Sequence, residues 1–388
     1  MIDFGLNEDQ RMVVDMAKDF AAKEILPKAK EYDENHTFPR DIIDKAQELG
    51  LVNLDLSAEY GGGNMGMVES VLIAEVLGHA CAGIALALLT NNLATSPIDY
   101  FGTPEQKTKW LSLVCQERLL VSFCLTEPQT GSDLGSLKTH YEKKGSGYVI
   151  NGQKAWISNA NQAQLYVVFA YPKGSQQISE LSAFIVPAES PGIVKMKPEK
   201  KLGLKASDTA GVVFEDVQVS ADRLLAREGD GYRIAMKSLS RGRTGTAALA
   251  TGIQQRCIDE SIQYSRGRYA GGKPIGDHPV IRQYIAAMQM AAEASRLASW
   301  RAAWKGAQGK DYLYEAALAK AYATSTAEEV SLKAVQIMGG AGISLEYPVA
   351  KLVNDAKILS IIEGTTEIQK YTISEILYSR GRYAYFTD

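Results

Sequence analysis

The chain has 388 residues, 46% of them hydrophobic, which suits two or three domains with an ample core and excludes a disordered polymer. A net charge of −3, from 42 Lys and Arg against 45 Asp and Glu, offers no bulk attraction to nucleic acid or to an anionic membrane. The scattered Cys81, Cys115, Cys124 and Cys257 form no C-x-x-C pair, so neither a metal site nor a disulfide framework is expected.

Residues 1–118 read as helices. The N-terminus is acidic and reads as no targeting segment, so a cytoplasmic protein with reduced thiols is expected. Val13, Met16, Ala17, Phe20 and Ala21 recur at helical spacing, and Ile42, Ile43, Ala46 and Leu49 repeat the pattern. Gly61-Gly62-Gly63 breaks the chain, and a long apolar helix is expected from about Met67. Its most apolar run, near residues 80–90, reads as too short to span a bilayer, so no membrane is expected. Thr103-Pro104-Glu105-Gln106 is a helix start, with Thr at the cap, Pro in the first turn and Gln three residues on.

The texture changes near Leu119. Residues 119–125 form a β-type run. Tyr148-Val149-Ile150, Asn151-Gly152 and residues 154–157 read as a hairpin with a primed turn. Residues 165–170, 183–186, 193–196 and 211–219 supply further strands, together a small barrel or sandwich. Helices return from Gly231, with candidates at 253–264, 280–305, 312–335 and 368–377. The predicted fold class is α+β and multidomain: an N-terminal helical domain over 1–118, a central β-barrel over 119–229 and a C-terminal helical bundle over 230–388.

Five groups of residues can carry chemistry. In Ile361-Ile362-Glu363-Gly364-Thr365-Thr366-Glu367-Ile368-Gln369, apolar neighbours disfavour the charge on Glu363 and raise its pKa toward that of a useful proton acceptor. Gly364 permits a tight turn and a close ligand. The same residues suit a helix-capping carboxylate beside a turn glycine, and this stretch alone leaves both open. Phe123-Cys124-Leu125-Thr126-Glu127-Pro128-Gln129-Thr130-Gly131-Ser132-Asp133 leaves a strand for a loop whose hydroxyls and free N–H groups suit a phosphate or a polar ring edge. A plain turn would use the same residues. Trp156 and Ser158 share a strand face, able to stack on a flat cofactor, although tryptophan is more often core. Arg241, Arg243, Arg266 and Arg268 could bind phosphates or simply end helices at the surface. Gln336 to Gly342 reads as a helix end with a close backbone approach. The chain has no Walker loop and no G-x-G-x-x-G fingerprint.

In this order, T-E-P-x-x-G-S-D at 126–133, W-I-S at 156–158, Q-I-M-G-G-x-G at 336–342 and E-G-T-x-E-I-Q at 363–369 resemble the acyl-CoA dehydrogenase family of flavoproteins over almost the whole chain. The resemblance implies non-covalent FAD and α,β-dehydrogenation of an acyl thioester. Glu363 would take the α-proton while the β-hydrogen leaves as hydride to flavin N5. It further implies FAD contacts from Phe123, Leu125, Thr126, Gly131, Ser132, Trp156, Ser158, Thr365 and Glu367. Arg268, Gln336, Gly339 and Gly340 would reach the flavin of a neighbouring subunit. Ser132, Arg243 and Gly364 would meet the substrate, and the thioester carbonyl would bond the backbone N–H of Glu363. The implied partners are an acyl-CoA or acyl-carrier thioester, an electron-transfer flavoprotein and copies of the same chain in a homotetramer.

Three departures from the family pattern stand out. Gly271 replaces a Phe, Pro279 replaces a Gln, and Ser240 stands where many relatives carry an acidic residue. Some relatives place the base at the position of Gly242, which leaves Glu363 without a rival. Lost packing at Gly271 and a lost amide at Pro279 predict FAD binding weaker by roughly tenfold. The alternative is that Pro279 opens the next helix and Tyr269 fills the gap. The same fold also serves enoyl-thioester reductases, acyl-CoA oxidases, acyl-carrier-protein dehydrogenases and a DNA-associated homologue. Thr90, Asn91, Asn92, Thr95 and Ser96 hint at a polar or short acyl group.

Overall fold

The computed structural model describes residues 5–380. The N-terminal helices are α1 (Glu8–Phe20), α2 (Ala29–Glu34), α3 (Arg40–Glu48), α4 (Met67–Phe101) and α5 (Pro104–Gln116). The α5 cap forms as its sequence predicts: the Gln106 N–H donates to Thr103 Oγ1 at 3.2 Å, and the Thr103 N–H donates to Gln106 Oε1 at 2.9 Å. The α4 helix is kinked at Cys81, where φ/ψ of −164°/109° interrupt the helical geometry. By length and composition it could cross a membrane, which corrects the shorter apolar run expected there; most of it is buried inside the fold. Apolar on all sides, it has the character of a central core helix.

The sheet strands are β1 (Val121–Cys124), β2 (His140–Lys144), β3 (Gly147–Ser158), β4 (Leu165–Pro172), β5 (Ser182–Pro187), β6 (Ile193–Lys195) and β7 (Thr209–Ser220). Their order is β1-β4-β2-β3-β7-β6, with β5 also on β4, and the sheet curls into a half-barrel. Seven of the eight β4 residues are buried, which explains its unbroken apolar run. The hairpin expected at Asn151-Gly152 is absent. Strand β3 runs straight through these residues, and the turn lies at 145–146, between β2 and β3. Asn151 instead exchanges bonds with Asp216 on β7: its Nδ2 donates to Asp216 Oδ1 at 3.0 Å, and the Asp216 N–H donates to Asn151 Oδ1 at 2.8 Å. The β3–β7 register shifts here, so Asn-Gly marks a bulge. Gly152 has φ +148°, and a Cβ on it would lie 2.5 Å from Thr139 Oγ1.

The C-terminal helices are α6 (Gly231–Gly267), α7 (Pro279–Ala307), α8 (Leu313–Met338), α9 (Pro348–Ile361) and α10 (Thr366–Arg380); the two-residue strands β8 (Tyr269–Ala270) and β9 (Lys273–Pro274) lie between α6 and α7. Helix α6 starts well before the predicted residue 253, and its first half buries small residues such as Thr244, Thr246 and Ala247 against α4 and α8. Helix α9 was not among the expected elements, although Pro348 opens it and Val349, Leu352, Ala356 and Leu359 form a buried helical stripe. Pro279 sits in the first turn of α7, and Gly271-Gly272, with φ of +61° and +78°, makes the turn between β8 and β9. Proline thus opens a helix here, as the alternative reading has it. Tyr269 is exposed.

Candidate active site

Residues 362–365 join α9 to α10, and Glu363 occupies this turn with φ +56°. A left-handed glutamate costs about 1–3 kcal/mol and persists only where its surroundings impose it. Side chains from three helices do so. Gln369 Nε2, on α10, donates to the carbonyls of Glu363 at 3.2 Å and Gly364 at 3.0 Å. Arg243 Nε, on α6, donates to the Glu363 carbonyl at 3.3 Å. Lys320 Nζ, on α8, donates to the carbonyls of Ser360 at 3.0 Å and Gly364 at 2.8 Å. Gln369 and Lys320 are fully buried.

The Glu363 carboxyl lies beside Gly242, where a Cβ would come within 2.7 Å of Oε2. Oε2 is buried and makes no hydrogen bond among the described residues. Burial pushes the carboxyl up to about 7, against the pull of Arg243 and Lys320. The direction matches the sequence reading, but the cause differs, because Ile361 is 50% exposed and cannot bury its neighbour. The walls come from α4 and α6 instead. Met67, Val71, Leu86, Leu89 and Leu93 of α4 face Thr246 and Leu249 of α6 across a cavity of about 60 Å³, which Glu363 also lines. Thr90 and Asn92 line it as well. Asn91, Thr95 and Ser96 do other work: Asn91 pins residues 53, 119 and 121, while Thr95 and Ser96 bond back to their own helix. Arg241 lines the cavity too and is buried against Asp55, with its Nη1 on Tyr100 OH at 3.1 Å. Arg241 and Arg243 are therefore interior residues, whereas Arg266 and Arg268 are exposed.

A second group of predicted residues gathers at the sheet. The loop after β1 closes over an ion pair whose partners are almost wholly buried, Lys154 Nζ to Glu127 Oε1 at 2.8 Å. Lys154 also donates to the Leu125 carbonyl at 3.0 Å, and the N–H groups of Lys138 and Thr139 donate to the Glu127 carboxylate at 2.6 and 2.9 Å. Burial disfavours the charge on Glu127, but Lys154 and these donors outweigh it and hold the carboxyl below its usual range. Trp156 sits at a second bulge with φ +59° and is 58% exposed, so it is not a core tryptophan. The hydroxyls of Thr126, Ser132 and Ser158 make no hydrogen bond among the described residues. An exposed aromatic face with unused hydroxyls on its own strand (Ser158) and on the loop after β1 (Thr126 and Ser132) fits a flat ring with polar edges, as FAD has. Leu125 is buried, and Phe123 is half-buried with its ring centroid 4.8 Å from that of Phe169; Gly131 is exposed.

Thr365 accepts from the Ile368 N–H at 3.3 Å, and Glu367 is exposed in the first turn of α10. Arg268, Gln336, Gly339 and Gly340 are exposed at the ends of α6 and α8. No hydrogen bond or ion pair among the described residues joins them to Glu363 or to the Trp156 surface. Sequence reasoning gave no role to Lys320, Gln369, Glu127 or Lys154. Only Gln369 and Glu127 carried a signal, as members of the quoted motifs.

Three family models match in sequence: the N-terminal domain of acyl-CoA dehydrogenase over residues 7–118, its middle domain over 122–217 and its C-terminal domain over 229–378. The human mitochondrial short-chain specific acyl-CoA dehydrogenase is 38% identical over 370 residues, 95% of this chain and 90% of that protein. The structure of butyryl-CoA dehydrogenase from Megasphaera elsdenii superimposes with a TM-score of 0.95 at 36% identity, covering 97% of this chain and all of that one. The prolyl acyl carrier protein oxidase AnaB superimposes with a TM-score of 0.93 at 29% identity, covering 96% of this chain and all of that one.

Proposed function

The chain belongs to the acyl-CoA dehydrogenase family of FAD-dependent oxidoreductases, and from that premise we propose that it dehydrogenates a short acyl-CoA with Glu363 as the base. The observation that carries this reading is the unpaired Glu363 Oε2 on an apolar cavity, its carboxyl pushed up to about 7. Such a group is ionised at mildly alkaline pH and still basic enough to take an acidified α-proton. The Glu363 N–H makes no hydrogen bond among the described residues and is free to donate to the thioester carbonyl. That bond strengthens as enolate charge develops, so it stabilises the transition state more than the ground state. The apolar wall from α4 excludes water from the reacting carbons. Thr126, Ser132, Trp156 and Ser158 would hold FAD, which supplies the acceptor for the two electrons that leave with the β-hydrogen. Arg268 and Gln336 to Gly340, exposed at helix ends, would complete the FAD site of a neighbouring copy in a tetramer. An electron-transfer flavoprotein would reoxidise the enzyme.

The cavity supports a short acyl group. One water needs about 10–15 Å³ of cavity, so about 60 Å³ has room for roughly four to six groups of that size. The test is anaerobic bleaching of flavin absorbance across a panel of acyl-CoA thioesters of increasing length and the matching acyl-carrier thioesters. Fastest bleaching is expected with the short acyl-CoA substrates. Preference for long chains or for the carrier-bound series would overturn the assignment.

A further inference from the structure

Lys320 lies in the first third of α8 with none of its surface exposed. Among the described residues no carboxylate pairs with it directly; its Nζ is bonded to the Ser360 and Gly364 carbonyls. A buried ammonium with only dipoles for partners is costly, and an apolar side chain of similar volume would avoid that cost. The two carbonyls it binds lie three residues before Glu363 and one residue after it.

We propose that Lys320 is a positioning residue for the base: its ammonium clamps the carbonyls on both sides of Glu363 and sets a positive charge behind the carboxylate. The inference rests on Glu363 being that base. The clamp follows from geometry. Ser360 is in the last turn of α9, where carbonyls point out of the helix and a cation is favoured. Among the described residues, Gln369 bonds the Glu363 and Gly364 carbonyls and Arg243 bonds that of Glu363, so neither bonds the Ser360 carbonyl. Lys320 ties the end of α9 to the far side of the strained turn.

The charge acts with few neighbours. Glu363 faces Arg243 from α6 and Lys320 from α8. Lys320 faces Glu363 and Arg243, and more weakly Glu367 of α10 and Glu328 of its own helix. Burial pulls Lys320 down to about 7, while Glu363 pulls it up and Arg243 pushes it further down. Each member of the Glu363–Lys320 pair therefore favours the charged form of the other. Without the lysine only Arg243 opposes the burial of Glu363. The carboxyl pKa must then rise, and a smaller fraction is ionised at a given pH.

The experiment uses the FAD-loaded enzyme and a short acyl-CoA, with anaerobic flavin reduction followed from pH 5.5 to 9.5. Wild type should lose rate on the acid side with a midpoint near 7. Lys320→Gln keeps donors for the carbonyls but not the charge; Lys320→Met keeps neither. Both midpoints should move up by about one unit, which makes reduction roughly 5- to 10-fold slower near pH 6.5 and restores it near pH 9, with a lower plateau for Met. Lys320→Arg keeps the charge and should leave the midpoint in place. Infrared titration of the Glu363 carboxyl stretch, isolated by difference against Glu363→Gln, reads the same shift where turnover is lost. A midpoint unmoved in Lys320→Gln, by rate and by infrared, would overturn the inference and leave the lysine a purely structural role. Glu363→Gln run in parallel separates the two claims. If it reduces flavin normally, the base assignment fails; if it is inactive while the Lys320 midpoints stay put, only this inference fails.

Discussion

Gly364→Ala tests whether the turn around Glu363 is as constrained as its hydrogen bonds imply. Gly364 has φ +87°, where an alanine costs roughly 1–2 kcal/mol. Its Cβ would lie 2.6 Å from Gln369 Nε2, so the amide must move. That amide is buried and donates to the Glu363 and Gly364 carbonyls, each bond contributing about 0.5–1.5 kcal/mol net. The sum is about 2–5 kcal/mol. At 2–4 °C per kcal/mol for a domain of this size, thermal unfolding of the FAD-loaded protein should fall by roughly 4–20 °C. The effect on chemistry is separate. A turn released from Gln369 no longer aims the carboxylate, and misplacement by about 1 Å costs on the order of 10²-fold in rate. Scanning calorimetry at a fixed rate and anaerobic flavin reduction measure the two effects. Wild-type values in both would refute the view that Gln369 and the left-handed glycine hold the base.

Glu363→Gln should reduce flavin at least 10²–10⁴-fold more slowly while still binding the thioester, since glutamine is nearly isosteric but cannot accept the α-proton. A rate within tenfold of wild type would place the base elsewhere. Glu127→Ala strands Lys154 in the interior, so a loss of about 3–5 kcal/mol is expected, with FAD released during gel filtration. Unchanged melting and flavin content would show that the loop does not depend on the pair. Gly271→Phe should not tighten FAD, although the family pattern suggests it, because it puts a β-carbon on a turn residue with φ +61° at about 1–2 kcal/mol. Slower FAD dissociation in that variant would reinstate the idea that the missing aromatic weakens the adenosine site.

What was legible in the sequence is what short-range chemistry encodes. The Thr103 cap, the apolar α4 and the turn glycine after Glu363 all act within a few residues of themselves, and each takes the expected form. Misreadings arise where a residue's partner is distant. Asn151-Gly152 has the composition of a primed turn, but the Asn151 amide is engaged by Asp216, 65 residues away, and the pair becomes a bulge. Small residues weakened the helical signal in the first half of α6, yet they are what let it lie against α4 and α8. The site obeys the same logic. Glu363 could be picked out by its neighbours, but what gives it a raised pKa is the cavity wall of α4 and α6, not those neighbours. Arg243 is 120 residues from the Glu363 carbonyl it binds, and Lys320 is 40 and 44 residues from the flanking Ser360 and Gly364 carbonyls. A buried lysine has no local pattern to distinguish it from a surface one, because its desolvation and its partners exist only after the helices pack. The base of this site is therefore a local feature of the chain, whereas its tuning belongs to the packing of α6, α8 and α10 around it.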